Sequence, residues 1–407
     1  MHKKIYDRVH GFIHFNELEN LLLSSIPMQR LYHIRQLGVA FLVYPGGTHS
    51  RFEHSIGVME LATRIYDQVY QKPHQLMPEK GSPEYTYWRQ IVRFGALCHD
   101  LGHLPFSHVA ERALLDNEGH EGWTRRIIQS DYLMPIWEKL DPKRDVAGDV
   151  IKIAAPPPDS EAHDTPWERT CSNMITGDFF GSDRIDYLVR DAQATGLNYG
   201  LFDYHQMIEM MRVLPALDQP DTLQLGIEEN GLESCEALLL ARHFMHKRIY
   251  KYPAVKAYAY HLEEFMKKAY SMSRILESVD SYIYMSDNEV LADINAARRN
   301  VSHPAHHDAI RLLQRKDHIA AIPIKEQLSK SALEALAGKH AFSFEHKEPK
   351  SSHMTMPFPV LLRDGSIQEG TQLSGITIPR TDVSWVFVEQ DKRKQIAELV
   401  EKSCRHS

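Results

Sequence analysis

The chain has 407 residues, 43% of them hydrophobic and 25% charged, with a formal net charge of −7 and a pI near 6.4. That is ordinary for a folded protein long enough to bury one large core and a smaller appendage. The mild acidic balance advertises neither a nucleic-acid binder nor a membrane-surface protein, the start Met1 to Asp7 lacks the apolar run of a secretory signal, and no stretch of about 18 apolar residues suggests a transmembrane helix.

Along the chain, Tyr6 to Phe15 reads as two short β-prone pieces around a turn at His10-Gly11. Glu17 to Gln36 is helical in composition, interrupted by Pro27, and Val39 to Tyr44 is a strand-like apolar run closed by Pro45-Gly46-Gly47. From His54 onward the pattern is helical: Ile56, Met59, Leu61, Ala62 and Ile65, then Ile91, Phe94, Ala96 and Leu97, recur mostly at three- and four-residue steps. Gln129 to Trp167 is less regular and holds a loop-like Pro156-Pro157-Pro158-Asp159-Ser160. Helical signals return over Met174 to Leu197 and Glu233 to Ser271, and Val290 to Leu313 reads as a pair of short helices. Strand-like runs follow at His318 to Ile324, Phe358 to Leu362, Gly375 to Ile378 and Trp385 to Val388, before an amphipathic helix from Gln390 to Cys404. There is no internal repeat. The expected architecture is a mainly α domain over residues 1–286 and a smaller α+β lobe over 287–407, whose expected job, by analogy, is oligomer contact.

Cys98, Cys171, Cys235 and Cys404 lie far apart with no Cys-x-x-Cys pair, as expected of free thiols in a reducing cytoplasm. Among the 24 histidines, His99-Asp100 follows an apolar helix. Adjacent residues cannot share one regular helix face, but at a helix end both can turn toward one ion. Alone, the pair is as readily a capping Asp beside a core histidine. His54 lies upstream at the opening of a helix, and Asp183 downstream in Ser182-Asp183-Arg184-Ile185-Asp186-Tyr187.

Taken together, His54, His99, Asp100 and Asp183 resemble the H…HD…D signature of the HD superfamily, in which a helical bundle supplies the metal ligands from separate helices. The resemblance narrows with Arg30-Leu31, Arg35-Gln36-Leu37-Gly38, Tyr44-Pro45-Gly46, His49-Ser50-Arg51-Phe52-Glu53-His54-Ser55-Ile56-Gly57-Val58, and Cys98-His99-Asp100-Leu101-Gly102-His103-Leu104-Pro105-Phe106-Ser107-His108. These motifs resemble the dNTP triphosphohydrolase branch of the superfamily over roughly Ile5 to Tyr260. Such a likeness implies a helical HD domain, a divalent metal ion (Mn, Fe, Zn, Ni or, less well, Mg) and a dNTP substrate.

Residue roles follow from the same resemblance. Arg51, three residues before His54, offers a bidentate fork to phosphate. His103 and His108 contact phosphate, with His108 near the scissile bond, and His120-Glu121 looks like the branch's proton-handling dyad. Arg184 matches a basic phosphate contact; Tyr187 and Asp191, stepping by four from Asp183, face the sugar. Arg242, His246 and Tyr250 also step by four. By resemblance Arg242 grips phosphate, and Tyr250 closes on the sugar with Gln36 and Leu37, leaving no room for a 2′-hydroxyl. In isolation each stripe would be a solvated helix face.

The chain also departs from the branch. By the same resemblance, the guanine-nucleotide activator positions of the branch's animal member correspond to Ser24 and Tyr32, with Gln29 kept, and Glu228 and Asn230 stand where basic residues would clamp a second nucleotide. No SAM domain is expected. A homo-oligomer, dimer or tetramer, is expected without the same GTP gating. Lys392-Arg393-Lys394 read as a solvated helix face, so nucleic acid is possible as a partner but not indicated, and no membrane partner is expected. Two other readings stay open: an HD hydrolase acting on another nucleotide or single-stranded nucleic acid, and a nucleotide-binding regulator without turnover.

Overall fold

The structure, a computed structural model, describes residues 3–115, 119–158, 165–219, 222–270, 275–315, 318–324, 328–347, 353–379 and 383–404. Strands β1 (Lys3–Asp7) and β2 (Gly11–Phe15) pair as the expected antiparallel hairpin. Asp7 shapes its turn by accepting the backbone N–H groups of Val9 and His10 at 2.8 and 2.9 Å. Asn16 and Glu19 form a capping box that starts α1 (Glu17–Leu23). Pro27 stands in the first turn of α2 (Ile26–Arg30), where a missing N–H costs nothing.

The frame of the fold is α3 (Arg51–Val69), packed against α4 (Pro83–Cys98) and, further along the chain, α9 (Pro166–Thr176) and α10 (Ser182–Thr195). Between these lie α5 (His108–Leu114), α6 (Gly119–Ile128), α7 (Met134–Leu140) and α8 (Val146–Ala154). The stretch Gln129 to Trp167 is thus more helical than its sequence suggests. Val146, Val150 and Ile153 of α8 bury one face against α4, and Asp145 caps the helix. Pro156 to Pro158 lie in the loop after it, and Asp159 and Ser160 fall outside the described residues.

Val39 to Tyr44 forms no strand. Gly38 takes φ +51°, and a 3-10 turn over Gly38–Leu42 satisfies the backbone locally. A β-carbon on Gly38 would lie 2.8 Å from the Phe106 carbonyl oxygen, so the close approach requires glycine.

Next come α11 (Tyr204–Met210), β3 (Met211–Pro215), β4 (Leu223–Glu228) and α12 (Leu232–Met245), then one π turn over His246–Tyr250 and α13 (Pro253–Ala269). The C-terminal third holds β5 (Ala320–Ile324), β6 (Ser343–Glu345), β7 (His353–Met354), β8 (Pro359–Leu361), β9 (Ile367–Glu369), β10 (Ile378–Pro379) and β11 (Ser384–Val388). One sheet runs β3-β4-β8-β9, with β4 and β8 parallel; another runs β5-β11-β6, all antiparallel.

The fold is therefore mainly α with a small β-containing lobe. Val290, Ile294, Ala309 and Leu312 of the helices Asp287–Ala297 and His306–Gln314 join the main core, as do Phe358 and Val360 beside β4. A separate small core forms around β5 and β11 with Leu333, Ile396 and Val400 from the helices Lys330–His340 and Arg393–Cys404. Lys392, Arg393 and Lys394 are exposed, and all four cysteines are free thiols. Among the described residues no helix is long and apolar enough to cross a membrane.

Candidate active site

Three helix ends build the site. Ser50 caps α3: its side chain accepts the Glu53 N–H at 3.4 Å, and the Glu53 carboxylate accepts the Ser50 N–H at 3.3 Å. This box puts Arg51 at the first helical position and His54 one turn in. The α4 helix stops at Cys98, and the His99 ring folds back to donate Nδ1–H to the Ala96 carbonyl at 2.8 Å. The α10 helix opens at Ser182, which puts Asp183 in its first turn. Two of these ends are N-termini, whose exposed N–H groups favour anions.

A carbonyl can only accept a hydrogen bond, so neutral His99 leaves the Nε2 lone pair pointing away from Ala96. His54 is held alike: its Nδ1 meets the buried Asp186 carboxylate at 2.8 Å. The two Nε2 atoms then face each other at 3.3 Å, with Asp183 Oδ1 at 2.9 Å from His54 and 3.7 Å from His99. Asp100 Oδ1 is 3.4 Å from His99 Nε2, and its Oδ2 is 3.8 Å from His54 Nε2. Two lone pairs cannot face each other stably without positive charge between them. Burial disfavours a charged His54 imidazole, yet Asp183 and Asp186, with Asp100 behind them, outweigh it and lift its pKa to about 10. A divalent cation answers the same demand: His54, His99 and Asp183 lie close enough together to hold one, with Asp100 beside them, and so do His103, His108, Glu111 and His120.

Beside this centre, Glu111 gathers three histidines. Its carboxylate meets His103 Nδ1 at 2.5 Å, His108 Nδ1 at 3.0 Å and His120 Nδ1 at 3.2 Å. His103 and His120 stack with centroids 3.9 Å apart. Burial and the Arg51 guanidinium push His103 down to about 4, so its ring is neutral near pH 7. Burial also opposes charge on His120, but the Glu111 hydrogen bond and charge prevail and raise it. His120 therefore hangs on Glu111, whereas Glu121, the expected dyad partner, stands exposed on the cavity wall. His108 is the most open of the three, its side chain 66% exposed.

Both clusters open into one cavity of about 530 Å³. Arg51 pairs with Asp100 and donates from Nε to Ser107 Oγ at 2.8 Å. Ser107 and Phe106 both take left-handed φ values, 57° and 56°, a costly conformation for residues with side chains. Asp287 holds the bend by accepting the Phe106 N–H at 2.8 Å and the Arg35 N–H at 3.1 Å, while Ser107 donates to the Arg35 carbonyl at 3.2 Å. The bend sets the direction in which α5 presents His108.

Gln36, Leu37, Tyr187, Asp191, His246 and Tyr250 line the same cavity. Tyr250 donates its hydroxyl to Asp191 Oδ2 at 2.6 Å, and His49 Nε2 meets Asp191 Oδ1 at 2.7 Å. Among the described residues the buried Gln36 Oε1 has no hydrogen-bond partner. Arg184 and Arg242 fall outside the cavity lining, though both act electrostatically on Tyr187. Two buried guanidinium nitrogens of Arg184, Nε and Nη1, likewise lack a partner among the described residues. Arg242 and His246 do not share one regular α-helix with Tyr250: α12 ends at Met245, and the π turn carries His246 and Tyr250, whose rings sit 5.1 Å apart.

Sequence reasoning missed Glu111, Asp186 and His49 as site residues. Glu111 carried a signal, three residues after His108 on one helix face, and Asp186 stands three after Asp183. Of the positions noted as departures, Glu228 pairs with Lys72 and Arg212, and Asn230 accepts from Arg363 at 2.9 Å. Tyr32 stacks on Phe52 at 3.7 Å, and Gln29 donates to the Leu23 carbonyl at 2.7 Å.

Residues 51–155 match the HD domain family. The chain is 33% identical over 273 residues to the uncharacterized protein YwfO of Bacillus subtilis, covering 66% of this chain and 56% of YwfO. It is 26% identical over 394 residues to the deoxynucleoside triphosphate triphosphohydrolase SAMHD1 of Gallus gallus, covering 87% of this chain and 62% of that protein. The chain thus spans little more than half the length of these curated relatives. A solved structure of a hypothetical protein from Aquifex aeolicus superposes with a TM-score of 0.74 at 26% identity, covering 98% of this chain and 99% of that one. The chain therefore carries an HD domain within residues 51–155 and is related to the HD-domain proteins that include SAMHD1.

Proposed function

We propose that the protein hydrolyses deoxynucleoside triphosphates to deoxynucleoside and inorganic triphosphate. The observation that carries this reading is that a single cavity is lined both by the imidazole–carboxylate centre and by Gln36, Tyr187, Asp191 and Tyr250. A phosphate-ester centre alone would suit many substrates. Joined to a compact wall of hydrogen-bonding side chains, it suits a phosphate chain carrying a sugar. The name of a relative, deoxynucleoside triphosphate triphosphohydrolase, supports the choice of substrate.

In this reading His54, His99, Asp100 and Asp183 hold a divalent cation, which supplies positive charge to the phosphoryl oxygens. Arg51 on the cavity wall neutralises part of the triphosphate, and Arg184, outside the wall but next to Asp183 in sequence, offers phosphate its Nε and Nη1, which lack a partner among the described residues. A water oxygen bonds to the α-phosphorus, the bond from that phosphorus to the 5′ oxygen breaks, and the leaving 5′ oxygen takes a proton. His120, kept protonated by Glu111, and His108, open to the cavity, are the residues positioned to deliver it. Gln36 Oε1 accepts a sugar hydroxyl, and Leu37 and Tyr250 close on the 2′ carbon, so a ribose hydroxyl there meets side chain instead of space.

The test is a product assay on protein loaded with Mn²⁺, comparing the four dNTPs with the four NTPs and using Asp183→Ala as the blank. Deoxynucleoside with tripolyphosphate from wild-type protein alone is expected. Absence of both products with every dNTP would sink the reading.

A further inference from the structure

We propose that the N-terminal hairpin is a working part of the metal centre, with His10 a positioning residue that acts on the metal ligand His54 through Asp186. The inference rests on the reading of His54 as a ligand, and it concerns how that ligand is aimed.

The Asp186 carboxylate is wholly buried and accepts from four N–H groups. His10 Nε2 at 2.7 Å and Arg190 Nη2 at 3.0 Å meet Oδ1; His54 Nδ1 at 2.8 Å and Arg190 Nε at 2.8 Å meet Oδ2. Each oxygen thus has two partners, and the carboxylate cannot swing without breaking a buried bond. Arg190 is itself fixed, because its Nη1 reaches Asp7 Oδ1 at 2.7 Å on the hairpin. His10 Nδ1 is buried with no partner among the described residues. A neutral His10 ring therefore keeps its one proton on Nε2, where it serves Asp186.

The consequence lands on His54. An acceptor locked in place on the Nδ1 side forces Nδ1 to carry the proton, and the Nε2 lone pair then points at Asp183 and His99. Partners behind a ligating imidazole fix its tautomer and its direction in this way. Space for the arrangement is reserved by Gly57, one turn after His54: a β-carbon there would lie 2.1 Å from Asp186 Oδ1 and 2.3 Å from Arg190 Nη2. The hairpin turn that brings His10 in is the one Asp7 shapes, so one residue both builds the turn and anchors the arginine.

The experiment measures Mn²⁺ affinity of the full chain by chelator competition, without nucleotide, for wild type, His10→Leu and His10→Gln, alongside the melting temperature of each metal-free protein. His10→Leu should bind Mn²⁺ about 10–100-fold more weakly, the usual effect of removing a partner behind a metal ligand. His10→Gln, which can place an N–H near the same spot, should stay within about threefold of wild type, since it restores the donor to the carboxylate. Unchanged affinity in His10→Leu overturns the proposal. So does equal weakening in both variants, which would mark a packing defect. If His10→Leu fails to fold, Asp7→Asn replaces it: weaker Mn²⁺ binding by folded protein sustains the proposal, and wild-type affinity overturns it. Wild-type protein that binds no Mn²⁺ overturns both this proposal and the metal centre. The expected affinity pattern with no dNTP turnover sustains this proposal and overturns the substrate reading alone.

Discussion

The two histidine clusters in the cavity use the same residue types for opposite ends. At the His54–His99–Asp183 centre, each imidazole has its Nδ1 occupied from behind, by Asp186 or the Ala96 carbonyl, and the bare Nε2 atoms converge. At the Glu111 cluster the Nδ1 atoms converge instead, and one carboxylate accepts them all. The first arrangement leaves lone pairs facing each other and needs a cation. The second surrounds one carboxylate, which a proton on His120 balances, although His103, His108, Glu111 and His120 also lie close enough together to hold a cation. In the proposed reading, which ring nitrogen faces inward separates a metal centre from a proton store, and the orienting groups behind the rings set which nitrogen that is.

Removing a ligand from the first cluster should have the largest effect. Asp183→Ala is expected to lower dNTP hydrolysis by at least about 10³-fold and to weaken Mn²⁺ binding, because a carboxylate facing both Nε2 atoms is lost. Hydrolysis near wild type would break the assignment of the centre. Glu111→Gln is the matching change in the second cluster. It should reduce kcat by about 10²-fold, within the range for a displaced proton donor, and leave Mn²⁺ affinity unaltered. If metal affinity falls with it, the two clusters are not separate devices.

The pH profile sharpens the same contrast. Glu111 holds the His120 pKa above its ordinary value, so His120 keeps its proton until pH rises through that elevated pKa. Activity that needs the proton is lost on the basic limb. Taking away the carboxylate lowers the His120 pKa, and Glu111→Gln should move that limb to lower pH. A limb that stays put would assign the proton elsewhere. The smallest effect is expected outside both clusters: Tyr250→Phe removes one hydrogen bond to Asp191, worth about 1 kcal/mol, or roughly fivefold in KM for dNTP. A change confined to kcat would instead place Tyr250 in the chemistry.

The sequence was most informative where function depends on local geometry. His99-Asp100 at a helix end and His54 at the opening of a helix are short-range patterns, and the fold brings them together with Asp183. The groups behind them were harder to read. Nothing local says that Asp186 serves His54, 132 positions away, or that His10 reaches Asp186 across 176. His120-Glu121 resembled the branch's proton-handling dyad, yet the fold turns Glu111 toward the His120 ring. The C-terminal region shows the same limit: Phe358 to Leu362 reads as a strand, but its parallel pairing with β4 across more than a hundred residues has no local signal. Val39 to Tyr44 failed for the reverse reason, since a glycine pressed against the Phe106 carbonyl overrides strand composition.

The left-handed bend at Phe106–Ser107 has a consequence for the timing of synthesis. Its clasp, Asp287, is translated long after His54, His99 and Asp183 have left the ribosome, and it closes the bend through two backbone N–H groups. A nascent chain that stops short of residue 287 has every proposed metal ligand and the Arg35 and Arg51 bonds to Ser107, but lacks the carboxylate that accepts the Phe106 N–H, so one of the bonds that offset the two positive φ angles is missing. Synthesis of the start of the helix Asp287–Ala297 is thus the earliest moment at which the bend that aims His108 can be fully clasped.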